Sequence, residues 1–318
     1  MNNNAAVLNV GRQQRLLAEL QLACGSMRQE ELRAIGGRAL TTLGKVTVRR
    51  ARNLLGVLKA IGEKISAETR QGYKSAISGE FDKYAKQLAT RTSQASVDIY
   101  DRTKTSVTKV FDAVSNNPRE HLPPLIIGAL AAVAASGGVD GDGGVPDLDL
   151  TLGIGAHRSI FTHSILSGAV IETTLLTLAD LIGSVHQYLP TDHDPLWDAI
   201  AKNKAQFIHA ASTGASAGIA YHLMIDATVQ PGTYHGLPFS MPQEAHNGLM
   251  GANAAAEGID AATRPGVNQQ ADPMRAVSNA AAVVSDSAEK AFAHTKAYLS
   301  GAMIGFKVGF NEATRTKK

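Results

Sequence analysis

Between residues 145 and 166 the chain reads VPDLDLTLGIGAHRSIFTHSIL, placing Asp147 and Asp149 two apart, then His157 beside Arg158, then His163. Carboxylate oxygens and imidazole nitrogens are ligands for zinc, manganese and iron, and hydrolytic centres built on these metals keep a position for water. Such a concentration is unusual in a chain with only 19% charged residues. A strand-like DLD segment after Pro146 would point both aspartates the same way, one binding metal and the other bridging or orienting it. On a continuous helix His157 and His163 would stand about 120° out of phase, so they share a site only if His157 precedes the helix. Gly153 and Gly155 permit that, and the helix IFTHSILSGAVIETTLLTLADLI then carries His163 in its first turn. Arg158, near that helix N-terminus, sits where an anionic substrate group is favoured. A second contribution comes from GIAYHLMIDATVQPG, where His222 and Asp226 at i, i+4 share one helix face. That spacing suits joint ligation, or a histidine oriented by a carboxylate. Alone it is the spacing of an ordinary surface pair; beside the first cluster it gains weight.

The elements that must position these residues read as helices. From residue 5 to 116, RQQRLLAELQLA, QEELRAIGGRALTTLGKVTVRRARNLLGVLKAIGEKISAETRQGYKSAI and SQASVDIYDRTKTSVTKVFDAV repeat apolar residues at threes and fours with charges between. SNNPRE at 115 to 120 ends this stretch, and the composition then shifts: all ten histidines fall from His121 onward. A loop cluster, VQPGTYHGLPFSMPQEAHNG at 229 to 248, precedes an alanine-rich segment. TRPGVNQQADP reads as a linker or surface loop, and Met274 to about Phe310 as a last helix before the basic tail TRTKK. Few aromatics, 5%, and scarce alternating β-branched runs give an all-α expectation. The domains expected are an amphipathic helical region over 1–120 and a helical domain over 121–318.

Composition narrows the function. A chain of 318 residues buries a sizeable core, and a formal charge of +3 gives no broad electrostatic case for nucleic acid. The single cysteine, Cys24, excludes an intramolecular disulfide framework and fits a reducing compartment. The N-terminus lacks the pattern of a secretory signal, so a cytoplasmic location is expected. Leu122 to Val139 is bounded by prolines and glycines and falls short of the roughly 20 apolar residues of a membrane span. Ile165 to Ile182 contains Glu172 and Asp180, and both segments read as buried helices. Arg49, Arg50, Arg52, Lys59 and Lys64 form a basic group able to bind anionic lipid head groups, although a solvated helix face is the commoner meaning of such spacing.

With PDLD, HRSIFTHSIL and YHLMIDATVQPGTYHGLPFS in this order, residues 121 to 250 resemble the YdjM-like membrane-bound metal-dependent hydrolases, and HLPPLIIGALAAV resembles that family's opening helix. The family is thought to be related to the zinc-dependent phospholipase C and nuclease superfamily, whose helical fold holds metals between His and Asp side chains. The resemblance implies a metal set of His121, Asp147, Asp149, His157, His163, His222 and Asp226, with Arg158 and Ser164 close by. It departs from the family in one extra residue between the paired histidines and in Leu150, where a histidine is common. The implied activity is hydrolysis of a phosphoester by metal-activated water, zinc being expected and manganese or iron the alternatives. Asp149 would accept a proton, Arg158 hold a phosphoryl oxygen and His163 belong to the catalytic group. A phospholipid is the expected substrate, with a nucleotide or oligonucleotide as the alternative and the N-terminal helices docking peripherally at a membrane. The rival expectation is a non-catalytic protein, structural, assembling or lipid-binding, whose metal only staples the core. The N-terminal helices also suit homo-oligomerisation. His186, His193 and His209 read as surface or packing residues and His294 as unpartnered, while the loop bearing His235 and His246 could fold over the site.

Overall fold

The computed structural model describes residues 10–138, 143–153, 157–230, 232–237 and 240–264. The chain over these residues is all-α, as its periodicity predicts. The helices are α1 (Val10–Ser26), α2 (Gln29–Ile77), α3 (Phe81–Asn116), α4 (Pro118–Ser136), α5 (Ile165–Gln187), α6 (Pro195–Thr228) and α7 (Gln243–Thr263), with a 3-10 turn over Pro146–Leu152. Among the described residues the only β pairing is a parallel bridge between Ser159 and His235. The linker and helix expected after residue 264, with His294, lie outside the described residues.

Each boundary has a local cause. Asp194 caps α6 by accepting the Leu196 N–H at 2.9 Å, with Pro195 at the first helical position. Ser164 caps α5 through the Leu166 N–H. α4 ends on Gly137 in the left-handed region. Pro123 and Pro124 lie inside α4. They fall close enough to its start for the helix to run on through them, since few earlier carbonyls lose a partner.

The core forms where α6 meets α4 and α7, with α5 and α2 packed on its flank. Ala135, Ala215, Ile219, Leu223 and Ala254 are buried together there. Contact between α4 and α6 is close because it lacks side chains: a Cβ at Gly214 would overlap the Gly128 carbonyl, and one at Gly218 would overlap the Ala132 carbonyl. The N-terminal helices share this packing. Ala23, Met27 and Ile35 pack on Val185, and Val57 packs on Ala252 and Ala255. The compositional boundary near residue 120 therefore marks a change in residue types within packed helices.

α2 buries Ile35, Val46, Arg50 and Val57, a single face at helical spacing with an arginine in an apolar seam. Arg50 is 1% exposed. It meets Glu257, Glu172 (2.9 Å) and Asp260 (3.1 Å), while Arg49 reaches Glu172 and Asp260 at 2.6 and 2.9 Å. Arg264 adds contacts to Glu172 at 2.7 Å and Asp260 at 2.5 Å. Gly168 makes room, since a Cβ there would overlap Arg50 and Glu257. Two of the five residues expected to form a lipid-facing group, the buried Arg50 and the partly exposed Arg49, thus serve as counter-ions to three acidic residues of α5 and α7. Arg52, Lys59 and Lys64 are exposed. α5 is the one helix among the described residues long and apolar enough to cross a membrane, and Glu172 lies buried in its first half.

Candidate metal centre

The motif loop folds into a pocket wall. Pro146–Leu152 is a 3-10 turn, whereas the sequence suggested an extended segment; it still buries Asp147 and Asp149 while Leu148, Leu150 and Leu152 face outward. Val145 N bonds back to Ala135 O, and the Gly144 backbone presses so close to Gly137 that a Cβ there would collide with it. The turn is thereby fixed to the end of α4. After Gly153 the chain returns through His157 and Arg158, where Arg158 adopts φ 60°, a left-handed conformation costly for a residue with a side chain. That kink places His157 and Arg158 on the site side, and the His235 backbone locks it through Arg158 O and Ile160 N. α5 starts at Ile165, so His163 lies just before the Ser164 cap and not within the first turn. From α6, His222 and Asp226 project on one buried face.

Six side chains meet here. His163 Nε2 is 3.4 Å from both Asp147 Oδ1 and Asp226 Oδ2, and His222 Nε2 is 3.6 Å from the same two oxygens. His157 Nδ1 lies 3.4 Å from Asp147 Oδ1 and 3.5 Å from Asp149 Oδ1. All six of these atoms, on Asp147, Asp149, His157, His163, His222 and Asp226, are buried and lack a hydrogen-bond partner. Buried polar atoms are normally satisfied, so such a gathering needs a physical cause.

The opposite ends of five of the six are engaged. Asp147 Oδ2 accepts the Gly143 N–H at 2.7 Å. Asp149 Oδ2 accepts the Ser159 N–H at 2.9 Å and the Thr162 hydroxyl at 2.5 Å. Asp226 Oδ1 accepts from Arg158 at 2.9 Å. His222 Nδ1 faces the Ser136 carbonyl at 3.2 Å, which assigns it the hydrogen and leaves the Nε2 lone pair aimed inward. Thr162 gives its hydroxyl hydrogen to Asp149, so its oxygen, 3.0 Å from His163 Nδ1, accepts from that nitrogen. Supported ligands with free inner atoms are the mark of a metal shell.

The spacing fits an ion. A tetrahedral cation held about 2.1 Å from each ligand sets neighbouring ligand atoms about 3.4 Å apart, longer than a good hydrogen bond and close to the separations found. Asp147, His163, His222 and Asp226 suit one such ion, and His157 and Asp149 adjoin it through the shared Asp147 Oδ1. Burial, which on its own raises a carboxyl, is outweighed at Asp147 by the His163 and His222 imidazoles and the Gly143 N–H, leaving it below the usual range. At Asp149 burial is likewise outweighed, by Thr162, Ser159 and the two nearest histidines. Both stay ionised at neutral pH, as ligands must.

His121 is not part of the set. It stands in the first turn of α4, whose far end delivers the Ser136 carbonyl to His222; at about 1.5 Å per residue that is about 22 Å away. The length of α4 separates it from the cluster. Arg158 is present: one nitrogen binds both Asp226 and the Gln230 carbonyl (2.8 Å), so it orients a ligand, while its buried Nε has no hydrogen-bond partner. The loop after α6 does fold over the motif, but His235 is exposed and pairs through its backbone, while His246 accepts the Tyr234 N–H at 3.0 Å.

Sequence reasoning missed the supporting residues. Tyr234 donates to the His163 carbonyl at 2.5 Å, and burial and the Asp226 charge push its phenol up, so it remains a donor. Asn253 holds the start of α5 through Ile165 N at 3.1 Å. Thr162 carried a signal in standing beside His163; Tyr234 and Asn253 come from distant segments and carried none. Comparison with protein-family models, curated proteins and solved structures gave no match.

Proposed function

We propose that Asp147, Asp149, His157, His163, His222 and Asp226 hold a divalent metal, zinc first and manganese or iron next, in a hydrolase of phosphoesters, most readily phospholipids. The observation that supports this reading is the set of six inward ligand atoms without hydrogen bonds. A bound divalent ion supplies Lewis acidity, lowering the pKa of water and polarising a phosphoryl oxygen. The chain's own residues do the rest. Asp147, His163, His222 and Asp226 would hold the ion, and Arg158 fixes Asp226. His157 is the member most open to solvent, beside the buried Asp149, so it is the ligand that an entering water or substrate would meet first.

A lipid is favoured over a nucleotide by the surroundings. The same turns that bury the ligands expose Leu148, Leu150, Leu152 and Phe161, an apolar rim suited to acyl chains at a membrane surface met from the cytoplasm. A non-catalytic staple is the second reading, favoured by the near-complete burial of His163 and His222.

Metal content of the purified protein beside His163→Ala and Asp226→Ala, followed by phospholipid vesicles and a soluble phosphodiester, tests the proposal. About one or more ions per chain, lost in both variants, with turnover of vesicle lipid only by the loaded parent, is expected. Metal bound without turnover of any phosphoester leaves the staple; a parent that takes up no metal on reconstitution ends both readings.

A further inference from the structure

A second histidine and carboxylate cluster lies at the turn from α5 to α6. His186 is in the last turn of α5, His193 in the connection and Asp198 in the first turn of α6. Both Nε2 atoms face one oxygen, Asp198 Oδ1, at 2.8 Å from His186 and 3.0 Å from His193. The rings stand nearly perpendicular, centroids 5.5 Å apart. His193 is fixed by its other nitrogen: Nδ1 is 2.6 Å from the Pro190 carbonyl oxygen, which can only accept, so Nδ1 carries the hydrogen. A neutral His193 then turns an Nε2 lone pair toward a carboxylate oxygen. Two acceptors at that distance require a cation between them, either a proton or a metal ion.

The three ligand atoms lie within 4.8 Å of one another, and the Asp198 side chain is 62% exposed, free to re-seat around an ion. Two imidazoles and a carboxylate, with open positions for water, are the donor set of zinc-class divalent ions. The surroundings give such an ion something to fix. Asp194, next to His193, takes Arg12 of α1 through contacts of 2.7 and 2.8 Å. Glu19 of α1 accepts from Arg15, from Asp194 N and from Trp197 Nε1 (2.9 Å). The turn is the seat on which α1 docks.

We propose that His186, His193 and Asp198 form a second divalent-cation site, of the zinc class, that clasps the α5–α6 turn and so steadies the seat of α1. It is independent of the central cluster: Trp197 precedes Asp198, and along α6 it stands about 37 Å from His222 at about 1.5 Å per residue.

The chain's single tryptophan makes this testable. Tag-free, metal-stripped full-length protein is titrated with Co²⁺, a paramagnetic quencher, while Trp197 emission is followed. Saturable quenching is expected, reversed by excess Zn²⁺ or by chelator, retained in His163→Ala and weakened about tenfold or more in His193→Ala and Asp198→Asn. Asp198→Asn keeps an oxygen acceptor for both imidazoles, so it decides the matter if His193→Ala fails to fold as judged by circular dichroism. Absence of quenching in the parent, or quenching that neither substitution alters, overturns the proposal and leaves a proton-bridged pair. Quenching lost only in His163→Ala overturns it as well, since the ion would then sit in the central cluster.

Discussion

Two buried polar clusters flank α6, and they solve the same problem in opposite ways. The α2–α5–α7 network sets Arg49, Arg50 and Arg264 against Glu172, Glu257 and Asp260, with charge–charge contacts mostly between 2.5 and 3.1 Å. Three guanidinium groups answer three carboxyl groups. In the central cluster three aspartates meet a single arginine, Arg158, and three histidines, so carboxylates outnumber guanidinium groups by two. Its facing atoms stand 3.4 to 3.6 Å apart, each turned toward a lone pair of its neighbour. One cluster is complete within the chain. The other is organised around something the chain does not encode.

The sharpest way to break that contrast is to remove one internal counter-ion. Arg50→Met leaves Glu257 and Glu172 buried with less compensation and is expected to cost about 3–5 kcal/mol in urea unfolding, while Arg50→Met with Glu257→Leu should recover much of it. Equal stability of parent and single variant would mean the network is not self-contained. Next in size is metal addition. Zn²⁺ at about 1,000 times its dissociation constant should raise the parent's stability by about 4 kcal/mol and leave Asp226→Ala nearly unchanged at the central site. A parent whose melting ignores both chelator and zinc would show the central cluster to be as self-sufficient as the other.

Titration separates the clusters further. Burial pushes the Glu257 carboxyl up to about 7 in spite of the Arg50 guanidinium beside it, against an ordinary value of 4.5. The folded state therefore binds the proton more tightly than the unfolded one, so this group's contribution falls as pH rises from about 4.5 through about 7. On the order of 3 kcal/mol of relative stability should be gained by the parent over Glu257→Gln between pH 8 and pH 5, read from paired urea curves. Glu172 acts in the opposite sense. Burial there is outweighed by Arg264, Arg49 and Arg50, which lower its carboxyl to about 2, so its support is present above about 4.5 and lost as pH falls toward about 2. The smallest expected effect is at the rim. Leu152→Ser with Phe161→Ser should change stability by less than about 0.5 kcal/mol and metal content not at all, while turnover of vesicle lipid drops and that of a soluble phosphodiester holds.

The helices were legible because their apolar spacing is local, and so were His222 and Asp226, whose side chains share a face by helical arithmetic alone. His163 and the two aspartates were legible as residue types at close spacing, though not as members of a 3-10 turn and a pre-helical loop. His121 was misplaced because sequence gives a helix's composition and leaves open which of its ends reaches the site. Arg50 left a faint trace, falling in register with Val46 and Val57, but its partners lie more than a hundred residues away and only packing identifies them. His186 and His193, expected as surface or packing residues, carry no signal of Asp198 in the sequence because the three meet only once the turn closes.

The bare backbone contact between α4 and α6 has a consequence for the site two turns further along. Gly214 and Gly218 let the helices touch without intervening side chains, and that touch places the Ser136 carbonyl opposite His222. The imidazole is thus aimed by a mechanical gauge set outside its own neighbourhood. A single methyl group added at Gly214 would act as a shim, prying the helices apart and turning the ring off its mark while leaving every ligand residue in the sequence untouched.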